Sequence, residues 1–320
     1  MKKKDRLEAK REVLLQRTQE IFGISSDAAQ QLLLTKSSQS LRLNTLSGGR
    51  DETIRVLLAL GWKGEQFAWC NEGYAIEEGY EAIVGSELAQ QGRLYIQNAA
   101  SWLPVLALDA RAGDKILDVC AAPGGKTSHI AALTENRASI TANDNSKPRL
   151  GRLRANLTRL GVEGVTYTLY DASRLARHLD GRLFDKILLD APCSGEGMMQ
   201  FNRDADFASW SVSHIKRLQS LQKRIIMQSW QLLAPGGTLV YSTCTMAPEE
   251  NEAVMDYLLR KREDCTVEKI GLDLPNRVPS ITRWHERDFH SSIANTVRLV
   301  PSEQVEAFFV AKLTKSTVGY

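Results

Sequence analysis

A chain of 320 residues can bury a sizeable core and form two domains, and 43% hydrophobic with 25% charged residues excludes a disordered or fibrous protein. A net charge of +3 excludes a strong whole-molecule field for polyanions, so only the distribution of basic residues can speak for a nucleic-acid partner. Five cysteines, an odd number with no CxxC spacing, exclude a disulfide framework and argue against a structural zinc site, so no metal is expected.

Free thiols, no apolar signal core and no run long enough to span a bilayer predict a soluble cytoplasmic protein without membrane contact, a monomer by default. The first 20 residues carry seven Lys or Arg against four acids; residues 4 to 22 are predicted helical up to Gly23, and Ser26 or Asp27 can cap a second helix through Leu34. Leu41-Arg42-Leu43-Asn44 alternates like a strand, Asp51 to Leu60 reads as a helix, and Gln66-Phe67-Ala68-Trp69 as another strand. Residues 1–91 are thus expected to form a small α/β module. Its Trp62, Phe67 and Trp69 could stack on bases, although core packing is the commoner role of such aromatics.

From Gly92 onward apolar strands alternate with amphipathic helices, the pattern of a parallel sheet covered on both faces, so 92–320 is expected to be a second, larger α/β domain. Strands are predicted over 115–120, 139–144, 165–171, 184–190 and 237–244, helices over 125–134, 146–160, 206–233 and 248–262, and a buried last strand over 306–313. Lys147, Arg149, Arg152, Arg154 and Arg159 sit in a stretch without acids; by itself such a run reads as a solvated helix face.

The chemistry is carried by strand ends. After the first large-domain strand comes Cys120-Ala121-Ala122-Pro123-Gly124-Gly125-Lys126, where the glycines allow close backbone approach and open a helix whose amides face a ligand; GxGxxG and GxxxxGKS spacings are absent. Asp144 ends the next strand, where a carboxylate can hold ribose hydroxyls, and Asp171 ends the third, where it could bind an adenine amino group. Each alone could be an ordinary strand-end residue. Together they fit an adenosine with a phosphate-free tail, such as S-adenosylmethionine. Two further strands end in Asp190-Ala191-Pro192-Cys193 and Thr243-Cys244. A thiolate adding to carbon 6 of a cytosine makes carbon 5 nucleophilic enough to take a methyl group, and a second thiol could remove the carbon 5 proton for release. Asp190 could hydrogen-bond ring nitrogen 3 and the exocyclic amine. Cys70 and Cys265 are assigned to packing, as is Cys120 apart from its backbone.

With these motifs, and with Arg149-Leu150-Gly151-Arg152-Leu153-Arg154-Ala155-Asn156-Leu157-Thr158-Arg159-Leu160-Gly161 and Pro248-Glu249-Glu250-Asn251-Glu252, the chain resembles the Sun family of RNA cytosine-5 methyltransferases over roughly residues 38 to 315. The resemblance implies a Rossmann-like class I S-adenosylmethionine-dependent core with its last strand antiparallel, and an RNA-binding amino-terminal module. It also implies a cofactor pocket of Cys120 to Lys126, Asp144, Asp171 and Asp190, with Cys244 as nucleophile and Cys193 as the residue aiding release. The implied product is 5-methylcytosine, in ribosomal RNA before transfer RNA. Ala307 stands where relatives often have Gly, and Asn98 where they often have an acid. Because the chain stops soon after the last core strand, RNA selection is expected from the amino-terminal module, the helix over 147–159 or a partner. The competing readings are a DNA cytosine methyltransferase using Cys193 alone, and a cofactor-binding RNA chaperone or assembly factor without turnover. Retention of both cysteines, Asp190 and the whole glycine turn disfavours the latter.

Overall fold

The computed structural model describes residues 3–179, 181–274 and 276–317. Helices α1 (Lys3–Phe22) and α2 (Ser26–Leu34) open the chain, with Gly23 between them at φ +63°. Ser25, not Ser26 or Asp27, caps α2: its hydroxyl accepts from the Ala28 amide at 3.3 Å, which requires the extended backbone found one residue earlier.

Strand β1 (Gln39–Leu43), helix α3 (Arg50–Ala59), strand β2 (Gly73–Ile76), helices α4 (Tyr80–Val84) and α5 (Glu87–Gln90), and strand β3 (Leu94–Ile96) follow, the strands pairing antiparallel in the order β2-β1-β3. The alternation in β1 works on two buried faces. Leu41 and Leu43 enter a small core with Trp62, Tyr74 and Ile83. Ser40 and Arg42 face the other way and are buried too, Ser40 donating to the Gln97 carbonyl at 2.6 Å and Arg42 to the Ser128 hydroxyl at 2.9 Å. Of the predicted strand 66–69, Gln66 makes an isolated antiparallel bridge to Tyr74 and the Phe67 amide donates to the Gly73 carbonyl, but the chain then turns, with hydrogen bonds from the Cys70 amide to the Phe67 carbonyl and from Gly73 to Cys70. Its Phe67 and Trp69 pack edge-on or tilted against Trp102. The small sheet therefore extends past residue 91 into β3, while Leu7, Leu14, Ile21 and Leu33 of α1 and α2 belong to a core cluster of the larger part.

The larger part runs α6 (Leu103–Leu108), β4 (Lys115–Asp118), α7 (Gly125–Leu133), β5 (Ser139–Asn143), α8 (Lys147–Arg159), β6 (Thr166–Thr168), α9 (Leu175–His178), β7 (Phe184–Asp190), α10 (Val212–Leu232), β8 (Leu233–Thr243) and α11 (Glu252–Leu259). It closes with β9 (Cys265–Glu268), β10 (Arg277–Val278), the hairpin β11 (Arg283–Trp284) and β12 (Arg287–Asp288), β13 (Val297–Leu299) and β14 (Phe308–Lys315). The predicted helix 206–233 starts only at Val212, because Ser211 caps it by accepting from the His214 amide, and 206–210 form turns. The sheet order is β10-β13-β14-β8-β7-β4-β5-β6, with β9 beside β14. Strands β4 to β8 are parallel and β14 runs antiparallel to β8. Strict alternation divides the core. Leu117, Ile187, Leu189, Leu239, Tyr241 and Phe309 meet a layer containing Trp230, whereas Ile116, Leu188, Val240 and Val310 meet one containing Trp102 and Ile130. Chain order reverses between β4 and β7, which opens a crevice at the carboxyl ends of these strands.

Candidate active site

Seven of the predicted site residues converge on that crevice. Cys120, Ala122, Asp144, Asp171, Asp190, Cys193 and Cys244 line one cavity of about 310 Å³, with Met198, Leu221 and Ile225 as apolar wall. Ala121, Pro123, Gly125 and Lys126 line an adjoining cleft of about 230 Å³ with Tyr95 and Gln97, and Cys120, Ala122 and Asp190 border both. Gly124 lines neither; it makes the turn, at φ +109°, and a Cβ there would lie 2.9 Å from Leu153 Cδ1. A larger hollow of about 670 Å³ beside Phe67 and Trp69 contains none of the predicted residues. Both aromatics, and Trp62, are buried, so packing is their role.

The two cysteine sulfurs lie 3.4 Å apart. Asp190 ends β7 in register with Ser242 of β8, so Cys193 and Cys244 leave adjacent strands side by side. The loops beyond are stitched together: Ser194 Oγ meets Thr245 Oγ1 at 2.7 Å, the Ser194 amide donates to Glu250 Oε2 at 3.0 Å, and the Gly197 amide donates to the Cys244 carbonyl at 2.9 Å. Gln222 of α10 joins them, donating to the Pro192 carbonyl and to Glu250. Burial raises the Glu250 carboxyl to about 7. The hydrogen bond with Cys244, and then burial, push the Cys193 thiol well above the ordinary range.

Both Asp190 oxygens are engaged, Oδ1 accepting from Ser242 Oγ and Oδ2 from Lys126 Nζ, each at 2.7 Å. Lys126 therefore points into the crevice. Burial opposes its charge, but Asp190, Cys244 and Asp118 outweigh it, so the ammonium is held above its usual range. Asp118 beneath is fully buried and raised by that burial to about 7, with Thr127 donating to one oxygen and nothing to the other.

Asp144 and Asp171 are poised for hydroxyl or amino donors. Asp144 Oδ1 accepts from the Ser146 amide, while buried Oδ2 has no hydrogen-bond partner, only Arg149 at 3.3 Å. Asp171 accepts from the Ser173 amide, which holds its carboxyl below the ordinary range. An acceptor-rich end, an apolar wall and a glycine turn free of side chains fit a nucleoside with a short tail, and so the cofactor expected above. Sequence reading missed Asn143, whose side chain donates to the Val119 and Tyr170 carbonyls and accepts from Thr168 and the Tyr170 amide, clamping three strand ends. Its one signal is a polar residue just before Asp144 in an otherwise apolar strand end. The basic helix is largely self-occupied. Arg149 donates to the Ala122 carbonyl, Arg154 lies 4.8 Å from the Tyr167 ring centre, and Arg159 bonds the Ala89 carbonyl.

The chain matches the family described as 16S rRNA methyltransferase RsmB/F over residues 105–314. The tRNA (cytosine(49)-C(5))-methyltransferase of Pyrococcus abyssi is 40% identical over 280 residues, covering 86% of this chain and 88% of that protein. The ribosomal RNA small subunit methyltransferase F of Serratia proteamaculans is 38% identical over 282 residues; the match covers 87% of this chain but 57% of that protein, so the chain spans little more than half that relative's length. Two solved structures from Pyrococcus horikoshii share the architecture. A methyltransferase homolog protein has a TM-score of 0.79 at 31% identity, covering 95% of this chain and 99% of that one. NSun6 with SFG, an S-adenosylmethionine analogue, has a TM-score of 0.81 at 25% identity, covering 96% and 98%. With a Rossmann-like sheet, a nucleoside-shaped crevice and these matches, the chain belongs to the RsmB/F family of S-adenosylmethionine-dependent RNA methyltransferases.

Proposed function

We propose that this protein forms 5-methylcytosine in RNA, with Cys244 as the nucleophile and Cys193 as the group that frees the product. The observation that carries this reading is the 3.4 Å approach of the two sulfurs beside the Lys126–Asp190 pair. S-adenosylmethionine, when bound, supplies an electrophilic methyl group. Asp144 and Asp171 would hold its ribose hydroxyls and adenine amino group, and the turn Cys120 to Gly125 its tail.

In this reading Cys193, the thiol whose ionisation is disfavoured, donates to Cys244, and Cys244 gives its proton to solvent and attacks carbon 6 of the base as thiolate. The new sulfur–carbon bond pushes electrons toward carbon 5, nitrogen 3 and the carbonyl oxygen on carbon 2. The Lys126 ammonium offsets that charge, and Asp190, held by Ser242, accepts from the exocyclic amine and shares a proton with nitrogen 3, beside the apolar wall of Met198, Leu221 and Ile225. Once carbon 5 carries the methyl group, Cys193 gives its own proton to solvent and, as thiolate, takes the remaining carbon 5 proton; the carbon–hydrogen electron pair re-forms the ring double bond, and Cys244 leaves as thiolate. The base must be unstacked to expose carbon 6.

Ribosomal RNA is the first substrate class, following the family's description. Transfer RNA is the second, favoured by the near full-length match to a tRNA enzyme. The test is denaturing-gel trapping with cellular RNA and S-adenosylmethionine. Cys193→Ala should accumulate a protein–RNA adduct and Cys244→Ala should form none, and sequencing the trapped RNA separates the two classes. The reverse pattern would assign attack to Cys193, and no adduct with any variant would remove covalent catalysis.

A further inference from the structure

Among the described residues, one group of three possible metal ligands lies outside the crevice: Cys70 and Glu72 in the turn before β2, and His129 on α7, with their ligand atoms all within 4.8 Å of one another. We propose that these three side chains bind one zinc ion, which staples the amino-terminal sheet to the helix that carries the glycine turn. The inference stands apart from the methyl-transfer reading.

Cys70 and His129 are each 1% exposed, and both ring nitrogens of His129 lack any hydrogen-bond partner. A buried imidazole with two orphaned nitrogens is costly as it stands, and a ligand on one of them would remove part of that cost. Thiolate, imidazole and carboxylate together are a zinc donor set, with a fourth position left for water. In a tetrahedral zinc site neighbouring ligand atoms are about 3.5 Å apart. Cys70 Sγ and Glu72 Oε2 now lie 4.0 Å apart and all three ligand atoms within 4.8 Å, so the site must contract slightly to reach that spacing. Glu72 is only half-buried, so its carboxylate can swing, and its side is the route of entry.

Zinc binding displaces the Cys70 proton to solvent, and one thiolate and one carboxylate then offset the divalent ion while the buried Arg42 guanidinium keeps its own charge. Arg42 acts on Cys70, Glu72 and His129 from β1, with its Nε and Nη1 unpartnered and able to donate to bound thiolate or carboxylate. Cysteine spacing carries no trace of such a site, since one cysteine contributes and the histidine comes from a distant helix.

The test uses the full chain, stripped with chelator and titrated with zinc alone, then with cobalt(II) as a spectroscopic probe. One zinc per chain is expected, together with a zinc-dependent rise in Tm and a cobalt–thiolate charge-transfer band. Cys70→Ser and His129→Gln should abolish the band, and the half-exposed Glu72→Gln, which leaves the packed core intact, should weaken zinc binding more than about tenfold. Cys244→Ser should keep the band, which distinguishes this site from the catalytic sulfur pair. No zinc and no band in the parent protein, or a band that survives Cys70→Ser and vanishes in Cys244→Ser, overturns the proposal.

Discussion

Cys193 and Cys244 lie 51 residues apart in the chain and 3.4 Å apart at their sulfurs, and the contact with Cys244, then burial, raise the Cys193 thiol. In the proposed covalent adduct the Cys244 contribution is gone, while burial and the Glu250 and Asp190 charges still keep Cys193 raised, and the proposed release step needs its thiolate. Release should therefore speed up with pH, close to tenfold per unit until Cys193 ionises, while adduct formation changes less. Adduct lifetimes measured by rapid quench between about pH 6.5 and 9 check this; a flat profile removes Cys193 from the base role. Both cysteines were legible because each closes an apolar run in a chain otherwise poor in thiols. The direction of Lys126 was not, since a first-turn lysine can face solvent or protein, and only the packing of β7 against β4 brings Asp190 within reach.

Between elements, the catalytic loop is held by a buried pair. Arg298 on β13 makes three hydrogen bonds to Glu252 at the start of α11 and also donates, at 2.7 Å, to the Met246 carbonyl, with side chains 2% and 0% exposed. Arg298→Ala leaves Glu252 as an unpaired buried charge and should cost about 3–5 kcal/mol in urea unfolding, whereas Lys63→Ala, from an exposed pair, should cost about 0–1 kcal/mol. A double replacement by apolar residues should recover much of the loss; equal losses for the two single variants would show that Arg298 contributes no more than a surface charge. Core strands were legible by their apolar runs and carboxyl-terminal aspartates, and Phe184–Asp190 lies where it is predicted. Strands β9 to β13 were not: they are two to four residues long, below the length at which alternation is visible. The start of α10 was obscured because Phe207 and Trp210, buried in turns, continue its apolar stripe.

Across the whole molecule, three carboxyls sit in the same electrostatic predicament: burial raises Asp118, Glu250 and Glu306 each to about 7. The folded state then binds their protons more tightly than the unfolded chain, so ionisation costs stability as pH climbs from about 4 through 7. Asp171, Asp256 and Glu249 are lowered, and their contribution is lost only as pH falls below the ordinary carboxylate range. Buried His129, lowered by that burial, opposes this below the ordinary histidine range, so stability should be greater near about pH 6 than near pH 8, by a few kcal/mol at most. Urea midpoints at the two values decide it, and a higher midpoint at pH 8 would show that these groups are not held protonated. By itself the sequence determined the α/β alternation, the strand ends proposed to carry chemistry and the family, because side-chain period and turn residues are local properties written in order along the chain. Tertiary structure decided which strand ends meet, which arginines are spent internally, where α1 and α2 pack and how Asn143, Ser194 and Glu250 brace the loops. Those outcomes depend on strand register and on burial, and both are set by residues far apart in the chain.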